Sequence, residues 1–268
     1  MTNVTWALVT GASSGIGAEF SRQLAQRGHN LILVARTKTA MMELADEIRS
    51  THGREVEVIC QDLTESQAAL AVVDQVRRLG HDVDVLVNNA GFGTVGHFES
   101  IPADREHDEV MLNVVALTDL TKQFIPDMAA RGRGSVINVA STAGFNPAAY
   151  FAVYSSTKAY VLNFSLSLWS EYQGRGVKVL AVAPGPVATP FFANSGIVRE
   201  SLGPRATSPE FVVSKSLKAL DRNRGYVVPG GGNFVMAHLM PRRPRRFIAK
   251  LSRKFTRPAL RASGSRPL

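Results

Sequence analysis

The feature that most constrains the fold of this chain is an alternation of short apolar runs with longer stretches of helical periodicity. The apolar runs have the length of buried strands, about five or six residues, and recur up to residue 228. This alternation is typical of βαβ units, in which helices cover both faces of a parallel sheet. We therefore predict an α/β fold with a single doubly wound, Rossmann-type domain. The strands are expected at Val4–Val9, Asn30–Ala35, Glu55–Cys60, Val83–Asn88, Ser135–Ala140, Lys178–Ala183 and Tyr226–Val228.

Helices are expected in the intervals, for example over Gly15–Arg27, Thr39–Thr51 and Ser66–Leu79. One interval breaks the pattern, because Thr189–Ser208 has no clear period; segments this long inside a compact domain are often active-site lids. From Gly230 the sequence turns to Gly, Pro and Arg. We therefore expect a domain over residues 1–229, with the substrate loop at 189–208, and a basic extension over 230–268.

Composition excludes several classes of protein. Hydrophobic residues make up 45% and charged residues 20% of the chain, as in ordinary soluble domains. The single cysteine, Cys60, has no disulfide partner, which favours a reducing, cytoplasmic compartment. No apolar run approaches the roughly 20 residues of a membrane-spanning helix, and no signal-peptide pattern is visible. His81, His97 and His107 lack a second ligand at metal spacing, so no metal is expected.

The net charge of +9 is concentrated at the C-terminal end. Twelve Lys and Arg and no acidic residue follow Asp221, whereas the preceding chain carries 19 basic and 22 acidic residues. Within Arg242–Arg257, cations surround one apolar face, formed by Phe247, Ile248, Leu251 and Phe255. Three interpretations stay open: contact with an anionic membrane surface, packing on the body or a neighbouring subunit, and binding of another partner. Nucleic acid is disfavoured, since no recognisable module is present.

A glycine-rich turn follows the first predicted strand. The residues Thr10-Gly11-Ala12-Ser13-Ser14-Gly15-Ile16-Gly17 lead directly into the first predicted helix. Such glycines permit a tight turn, close approach of the backbone to a pyrophosphate and close packing of helix on strand. The helix N-terminus also presents free N–H groups to phosphates. Although the spacing is not G-x-G-x-x-G, its position in a βαβ unit predicts a dinucleotide site.

The end of the second strand bears on the choice of nucleotide. NAD sites usually place an acid there, about 20 residues on, to bind the ribose 2′-OH. Here Arg36 occupies the corresponding place and no acid is present. A guanidinium can hold a 2′-phosphate in a bidentate fork, although it could also be a solvated arginine at a strand end. NADP is therefore favoured over NAD.

A catalytic set is predicted from Ser141, Tyr154 and Lys158. Tyr154 and Lys158 are four residues apart in a helical stretch, so their side chains share one face. An ammonium beside a phenol is expected to lower the pKa of the tyrosine from about 10 toward neutrality. The tyrosine could then exchange a proton with a carbonyl or alcohol. Ser141 ends an apolar strand, where its hydroxyl could bind the same oxygen.

Together these residues resemble the short-chain dehydrogenase/reductase superfamily. The resemblance covers Val4 to about Val228 and rests on Thr10–Gly17, Asp62, Asn88-Asn89-Ala90-Gly91, Asn113, Ser141, Tyr154 with Lys158, and Pro184-Gly185, in this order. It implies a mostly parallel seven-stranded sheet of order 3-2-1-4-5-6-7 and a homodimer or homotetramer. Val34-Ala35-Arg36 and the basic extension are most similar to a branch of reductases that handles lipids and ketoacyl compounds.

The resemblance also implies roles. Tyr154 would be the acid/base, Lys158 would activate it and bind the nicotinamide ribose, Ser141 would stabilise the substrate oxygen and Asn113 would hold a relay water. The implied cofactor contacts are Gly11, Ser13, Ser14, Gly15, Ile16, Gly17, Arg36, Asp62, Leu63, Asn89, Ala90, Gly91, Tyr154, Lys158, Pro184, Gly185, Val187 and Thr189. The 2′-phosphate site is matched only in part, because the family's commonest NADP pattern has a basic residue where Ser13 and Ser14 stand.

We therefore predict an oxidoreductase that moves a hydride between NADP(H) and a carbonyl or alcohol carbon of a small apolar or lipid-like substrate. Two alternatives are a catalytically silent NADP-binding regulator and a membrane-associated interaction protein. The joint presence of the four catalytic candidates argues against the first, and only the basic extension supports the second. Candidate substrate contacts are Phe145–Phe151, Phe191 and Phe192, each of which could instead be structural.

Overall fold

The computed structural model describes residues 4–191 and 206–262 of the chain. They form an all-parallel, seven-stranded sheet of order β3-β2-β1-β4-β5-β6-β7, which confirms the predicted architecture. Every strand begins and ends within two residues of its predicted bounds. The strands are β1 (Trp6–Thr10), β2 (Asn30–Ala35), β3 (Val56–Cys60), β4 (Val83–Asn88), β5 (Gly134–Val139), β6 (Val177–Val182) and β7 (Tyr226–Val227).

Helices connect the strands and cover the sheet. They are α1 (Gly15–Gln26), α2 (Lys38–His52), α3 (Ala68–Leu79), α4 (Ala103–Val110), α5 (Leu117–Ala130), α6 (Ala152–Glu171), α7 (Pro209–Asp221), α8 (Gly231–Leu239) and α9 (Arg245–Ala262). A π-helix, Met111–Ala116, joins α4 to α5, and a short 3₁₀ helix, Thr142–Phe145, precedes α6. Most of the predicted substrate loop, residues 192–205 with Phe192, lies outside the described residues.

The core consists of two apolar layers because successive strand side chains point to opposite faces of the sheet. Val9 packs with Phe20 of α1 and Met41 of α2, whereas Leu8 packs with Val72 of α3 and with residues of α5. Each of these side chains is almost fully buried. Burial of a side chain of this size contributes about 1.5–3 kcal/mol, so the two layers hold the sheet rigid under the site.

The C-terminal extension folds onto the domain. Ala237 of α8 is buried in a cluster with Val161 and Val228, and Ile248 of α9 is only 3% exposed. Ser252 of α9 accepts a hydrogen bond from the backbone N–H of Ala149. Residue 229 therefore precedes the start of a helix and does not end the packed body.

The predicted apolar face of the extension is divided between two environments. Ile248 is buried against the domain, but Phe247 is 53% exposed. Leu251 is half-buried, and the side chain of Phe255 lies outside the described residues. Among the described helices, none combines the length and the apolar character needed to cross a membrane.

Candidate active site

A cavity of about 850 Å³ opens at the edge of the sheet where the strands end. It brings together nearly all the predicted site residues. Those in its wall are Gly11, Ser13, Ser14, Gly15, Ile16, Arg36, Asp62, Leu63, Asn89, Ala90, Gly91, Ser141, Tyr154, Lys158, Pro184, Gly185, Val187 and Thr189. Ligands of doubly wound folds bind at this edge, so the predicted nucleotide and catalytic groups share one site. Gly17 and Asn113 lie behind the wall.

The glycines of the first turn are required by close contacts. Gly11 has a φ of 63°, and a Cβ there would lie 2.8 Å from Asn89 Nδ2 and 2.9 Å from the Cα of Ala90. A Cβ on Gly17 would collide with the carbonyl oxygen of Gly11. Larger residues would therefore push α1 away from the turn. A ligand can approach the backbone of this turn closely only because the glycines have no side chains.

The N-terminus of α1 is suited to a phosphate. Its N-cap residue, Ser14, makes no side-chain capping hydrogen bond, and the first turn holds no acidic residue. The first N–H groups of a helix lack partners within the helix and carry the positive end of its dipole. Because Ser14 and Gly15 line the cavity, these groups face the space where a pyrophosphate would lie.

The loop after β4 is fastened to the first turn. Asn89 Nδ2 donates to the carbonyl oxygens of Thr10 (2.9 Å) and Gly11 (3.2 Å). The Thr10 hydroxyl accepts from the backbone N–H groups of Asn89 (3.0 Å) and Ala90 (2.9 Å). These bonds explain why Asn89 and Ala90 belong to the motif, since they fix the two loops that form the middle of the cavity.

The charged pair at the other end of the cavity is Arg36 and Asp62. Arg36 Nη1 lies 3.6 Å from Asp62 Oδ2, and the arginine side chain is 70% exposed. Burial alone would raise the pKa of Asp62, but hydrogen bonds from Thr64 and the nearby Arg36 guanidinium outweigh it and lower the pKa. Because its side chain is largely exposed, the Arg36 guanidinium remains accessible at the end of β2, where a ribose 2′ group is expected.

The catalytic candidates converge from two elements. Ser141 follows β5 and caps the 3₁₀ helix, its Oγ accepting from the N–H of Ala143 at 3.1 Å. Tyr154 and Lys158 lie one turn apart on α6, with Lys158 Nζ 5.8 Å from the centroid of the Tyr154 ring. Lys158 is almost fully buried, and its Nζ donates to the carbonyl oxygen of Val139 at 2.9 Å.

The expected lowering of the tyrosine pKa is wrong for this structure. Burial raises the pKa of Tyr154 to about 12, against a smaller lowering by a hydrogen bond with Ser141. Burial likewise lowers the pKa of Lys158 to about 8. Removal from water disfavours both charged forms and is the largest cause of each shift. At neutral pH the tyrosine is therefore a neutral phenol that can donate a proton.

Asn113 supports the site from behind. It belongs to the π-helix, a distortion often found at functional sites. Its Oδ1 accepts from the N–H of Phe92, and its Nδ2 donates to the Phe92 carbonyl oxygen and to Thr157 Oγ1. A Cβ on Gly91 would lie 2.7 Å from Asn113 Oδ1 and 3.4 Å from Lys158 Nζ. A side chain at position 91 would therefore displace Asn113 or Lys158.

Glu109 is a buried carboxyl that sequence analysis missed. It is fully buried in α4, and its Oε2 accepts from the N–H and the hydroxyl of Thr94 at 2.9 and 2.7 Å. Burial raises its pKa to about 7, against the lowering effects of the Thr94 hydrogen bonds and the charge of Lys158. No sequence motif marks it, because α4 is otherwise a charged, exposed helix.

Aromatic residues surround Tyr154 on one side of the cavity. The ring centroids of Phe191 and Phe151 lie 5.7 and 6.3 Å from that of Tyr154, and both side chains line the cavity. Phe145 instead packs against Tyr226 and His238. Thr189 covers the start of α1, its Cγ2 lying 2.9 Å from where a Cβ on Gly15 would be.

The C-terminal helix α9 also contributes to the cavity, which sequence analysis did not predict. Thr256 lines the wall beside Ala148 and Phe151. Ile248, Ser252 and Thr256 recur every four residues and so share one face of the helix. Tertiary packing brings this face to the cavity, and no local pattern could have indicated it.

Comparison with known proteins gives matches of three kinds. A family model described as short chain dehydrogenase matches residues 5–197. The chain is 35% identical over 190 residues to a very-long-chain 3-oxoacyl-CoA reductase from Anas platyrhynchos, which covers 69% of this chain and 60% of that protein. This chain spans less than two thirds of the length of this reductase and of its two fungal relatives.

Two solved structures share both fold and sequence similarity. A short-chain dehydrogenase from Sphingobium yanoikuyae in complex with NADPH is 34% identical, with a TM-score of 0.79 over 84% of this chain and 87% of that one. A bulky-bulky ketone specific alcohol dehydrogenase from Comamonas testosteroni is 32% identical, with a TM-score of 0.76 over 91% of this chain and 96% of that one.

Proposed function

Since the chain belongs to the short-chain dehydrogenase family, we propose that it is an NADP(H)-dependent oxidoreductase acting on a carbonyl or alcohol carbon of an apolar or lipid-like compound. The observation that carries this proposal is the convergence of Ser141, Tyr154 and Lys158 on the same cavity as the glycine-rich turn. A silent NADP-binding regulator would need the turn but no proton donor, and is therefore not favoured.

The residues of the cavity fit a dinucleotide. The uncapped N-terminus of α1 would hold the pyrophosphate, while Asp62 and Leu63 would lie beside the adenine and Lys158 would bind the nicotinamide ribose. Ser13, Ser14 and Arg36 would hold the 2′-phosphate, which favours NADP over NAD. The complex of the Sphingobium yanoikuyae relative with NADPH supports this choice.

Carbonyl reduction follows from the protonation state of the site. NADPH, when bound, would supply the hydride that adds to the carbonyl carbon. The neutral Tyr154 phenol, its pKa raised to about 12 by burial, donates its proton to the carbonyl oxygen, so that C=O becomes CH–OH. Ser141 orients that oxygen, and the Lys158 ammonium stabilises the phenolate that remains. Asn113 would hold a water in proton transfer to Lys158.

The substrate end of the cavity favours an apolar compound. Phe151, Phe191 and Ala148 supply apolar wall on this side. The alcohol dehydrogenase from Comamonas testosteroni is specific for bulky-bulky ketones, and the reductase from Anas platyrhynchos acts on very-long-chain 3-oxoacyl-CoA. These similarities support a bulky or long-chain carbonyl compound as the substrate class.

Replacing Tyr154 by Phe tests the proposal. Because only the phenol O–H supplies the proton, Y154F should lower the rate of NADPH oxidation with a panel of ketones by about 10²–10⁴-fold. NADPH should still bind, as measured by fluorescence titration. Tyr160→Phe is the matched control, since Tyr160 lies on the exposed side of the same helix. Retention of more than about a tenth of the activity would remove Tyr154 from the mechanism.

We further propose that the protein works as a homodimer or homotetramer in the cytoplasm, and that its basic extension makes peripheral contact with anionic membranes. Family membership supports the first proposal. The twelve cations after Asp221, with no acidic residue among them, support the second.

A further inference from the structure

Helix α8 exposes an apolar face. Phe234, Val235, Met236 and Leu239 are 49, 50, 53 and 54% exposed, respectively. With 3.6 residues per turn, Val235 and Leu239 lie nearly opposite Ala237, which is buried in the domain, whereas Phe234 and Met236 flank it on either side. Four large, exposed apolar side chains in one short helix are unusual on a soluble surface, and exposed apolar regions of this kind mark contacts with other molecules.

Helix α9 and the turn before it add an exposed aromatic side chain and positive charge to the same C-terminal segment. Its Phe247 is 53% exposed. The cations of the same segment are exposed as well: Arg242, Arg243, Arg245, Arg246, Lys250, Arg253 and Lys254. No acidic residue follows Asp221, so no neighbour in sequence neutralises them. The surface formed by residues 234–254 is called the α8–α9 surface below.

Charge and apolarity together select the partner. A second copy of this chain, docked symmetrically, would bring two clusters of cations against each other. A nucleic acid would leave the apolar side chains of α8 unused. On an anionic bilayer, the cations would bind the headgroups, and Phe234, Val235 and Leu239 would insert among the acyl chains. Helices that lie at a membrane interface make both kinds of contact. We propose that the α8–α9 surface docks on an anionic lipid bilayer.

Docking here would place the substrate end of the cavity beside the lipid. Ser252 bonds the N–H of Ala149, Arg253 Nε lies 3.4 Å from the Tyr150 hydroxyl, and Thr256 lines the cavity. The helix that carries the cations is thus also a wall of the site. This inference rests on the proposed function for its lipid-like substrate, and adds that the substrate enters the cavity from the membrane surface.

Vesicle sedimentation with full-length protein tests the docking. Binding to vesicles of three parts phosphatidylcholine and one part phosphatidylglycerol is expected to exceed binding to phosphatidylcholine alone. It should fade with salt, since the Debye length falls from about 10 Å at 0.1 M to 3 Å at 1 M. Reversal of two charges by R245E and R246E should weaken binding about thirtyfold or more, at about 1 kcal/mol per cation. Reversal at Arg77 and Arg78 on α3 is the matched control.

The apolar contribution is tested separately. V235S with L239S should weaken binding by at least about tenfold, whereas L70S with L79S on α3, where exposure is 39 and 40%, should leave it unchanged. A tryptophan in place of Leu239 should be quenched by brominated lipids, but one in place of Leu70 should not.

Two results would overturn the inference. One is equal binding of wild type and the α8 variants. The other is a change of oligomeric state in V235S with L239S without vesicle binding by wild type, which would assign the patch to a second copy. Neither result depends on turnover. Failure of the proposed function would appear instead as absence of NADPH oxidation with soluble ketones.

Discussion

At the scale of single residues, we expect Arg36 to set the preference of the site between NADP and NAD. Arg36→Asp should shift cofactor preference toward NADH, because a carboxylate repels a 2′-phosphate and accepts from a 2′-OH. Loss of a charge-assisted contact worth roughly 1.5–3 kcal/mol predicts about tenfold to a hundredfold weaker NADPH binding. Because the side chain is 70% exposed, the lower value is favoured. Titration of wild type and variant with NADPH and NADH measures the two affinities, and Arg78→Asp is the control. An unchanged affinity for NADPH would show that Arg36 does not contribute to cofactor binding.

Glu109 makes stability depend on pH. Its pKa is raised from 4.5 to about 7, so between these values the native state keeps a proton that the unfolded chain has lost. The free energy of unfolding therefore falls as pH rises from about 4.5 to about 7, by on the order of 1–3 kcal/mol. The charged neighbours of the carboxyl are Lys158, which opposes the shift, and Glu106, which adds to it.

Glu109→Gln tests this dependence because glutamine keeps the shape and does not titrate. In urea unfolding at pH 5 and pH 7.5, the variant should lose on the order of 1–3 kcal/mol less stability than wild type over this interval. Glu99→Gln, at a side chain 67% exposed, should behave as wild type. If E109Q declined as steeply as wild type, the slope would arise from another group.

At the scale of elements, the joint between β1 and α1 depends on the absence of a side chain at Gly17. Gly17→Ala places a Cβ against the Gly11 carbonyl oxygen and Asn89 Nδ2, so α1 must move. Overpacking of this kind costs about 1–3 kcal/mol, and we expect NADPH affinity to fall by at least about tenfold. Gly232→Ala is the control, because a Cβ there meets no atom within 4 Å. Calorimetric titration with NADPH measures the affinity of both variants. If G17A bound NADPH as tightly as G232A does, close packing at Gly17 would not be required for the site.

The strands and the glycine turn could be predicted from sequence because they are local. Buried runs such as Asn30–Ala35 carry their own signal, and the observed strand has the same bounds. Glu109 and Thr256 could not be predicted, since only tertiary packing brings them to the site. The tyrosine pKa was predicted in the wrong direction for a related reason: the sequence shows Lys158 one turn away but not the burial that raises the pKa of the phenol.

At the scale of the whole molecule, the charge asymmetry and the fold are linked. The sequence suggests a near-neutral body with a basic tail, but the structure packs the tail helices on the body through Ala237 and Ile248. The positive region is therefore a fixed surface next to the cavity mouth. A fixed surface can orient the whole enzyme on a bilayer, whereas a flexible tail could only tether it.

Ending the chain after Pro229 tests this view of the extension. The truncation removes α8 and α9 and exposes apolar residues around Val161 and Val228. Each large apolar group returned to water costs about 1.5–3 kcal/mol, and 1 kcal/mol corresponds to roughly 2–4 °C in a domain of this size. We therefore expect the midpoint of thermal unfolding to fall by about 5–10 °C.

NADPH should still bind to the truncated chain, because every proposed cofactor contact precedes Pro190. The KM for long-chain ketones should rise, because Thr256 is lost from the cavity wall. A chain ended after Ala262, which keeps both helices, should match the full-length protein in differential scanning calorimetry and kinetics. An unchanged unfolding temperature after truncation at Pro229 would show that the extension contributes nothing to the packed domain and acts only as a tail.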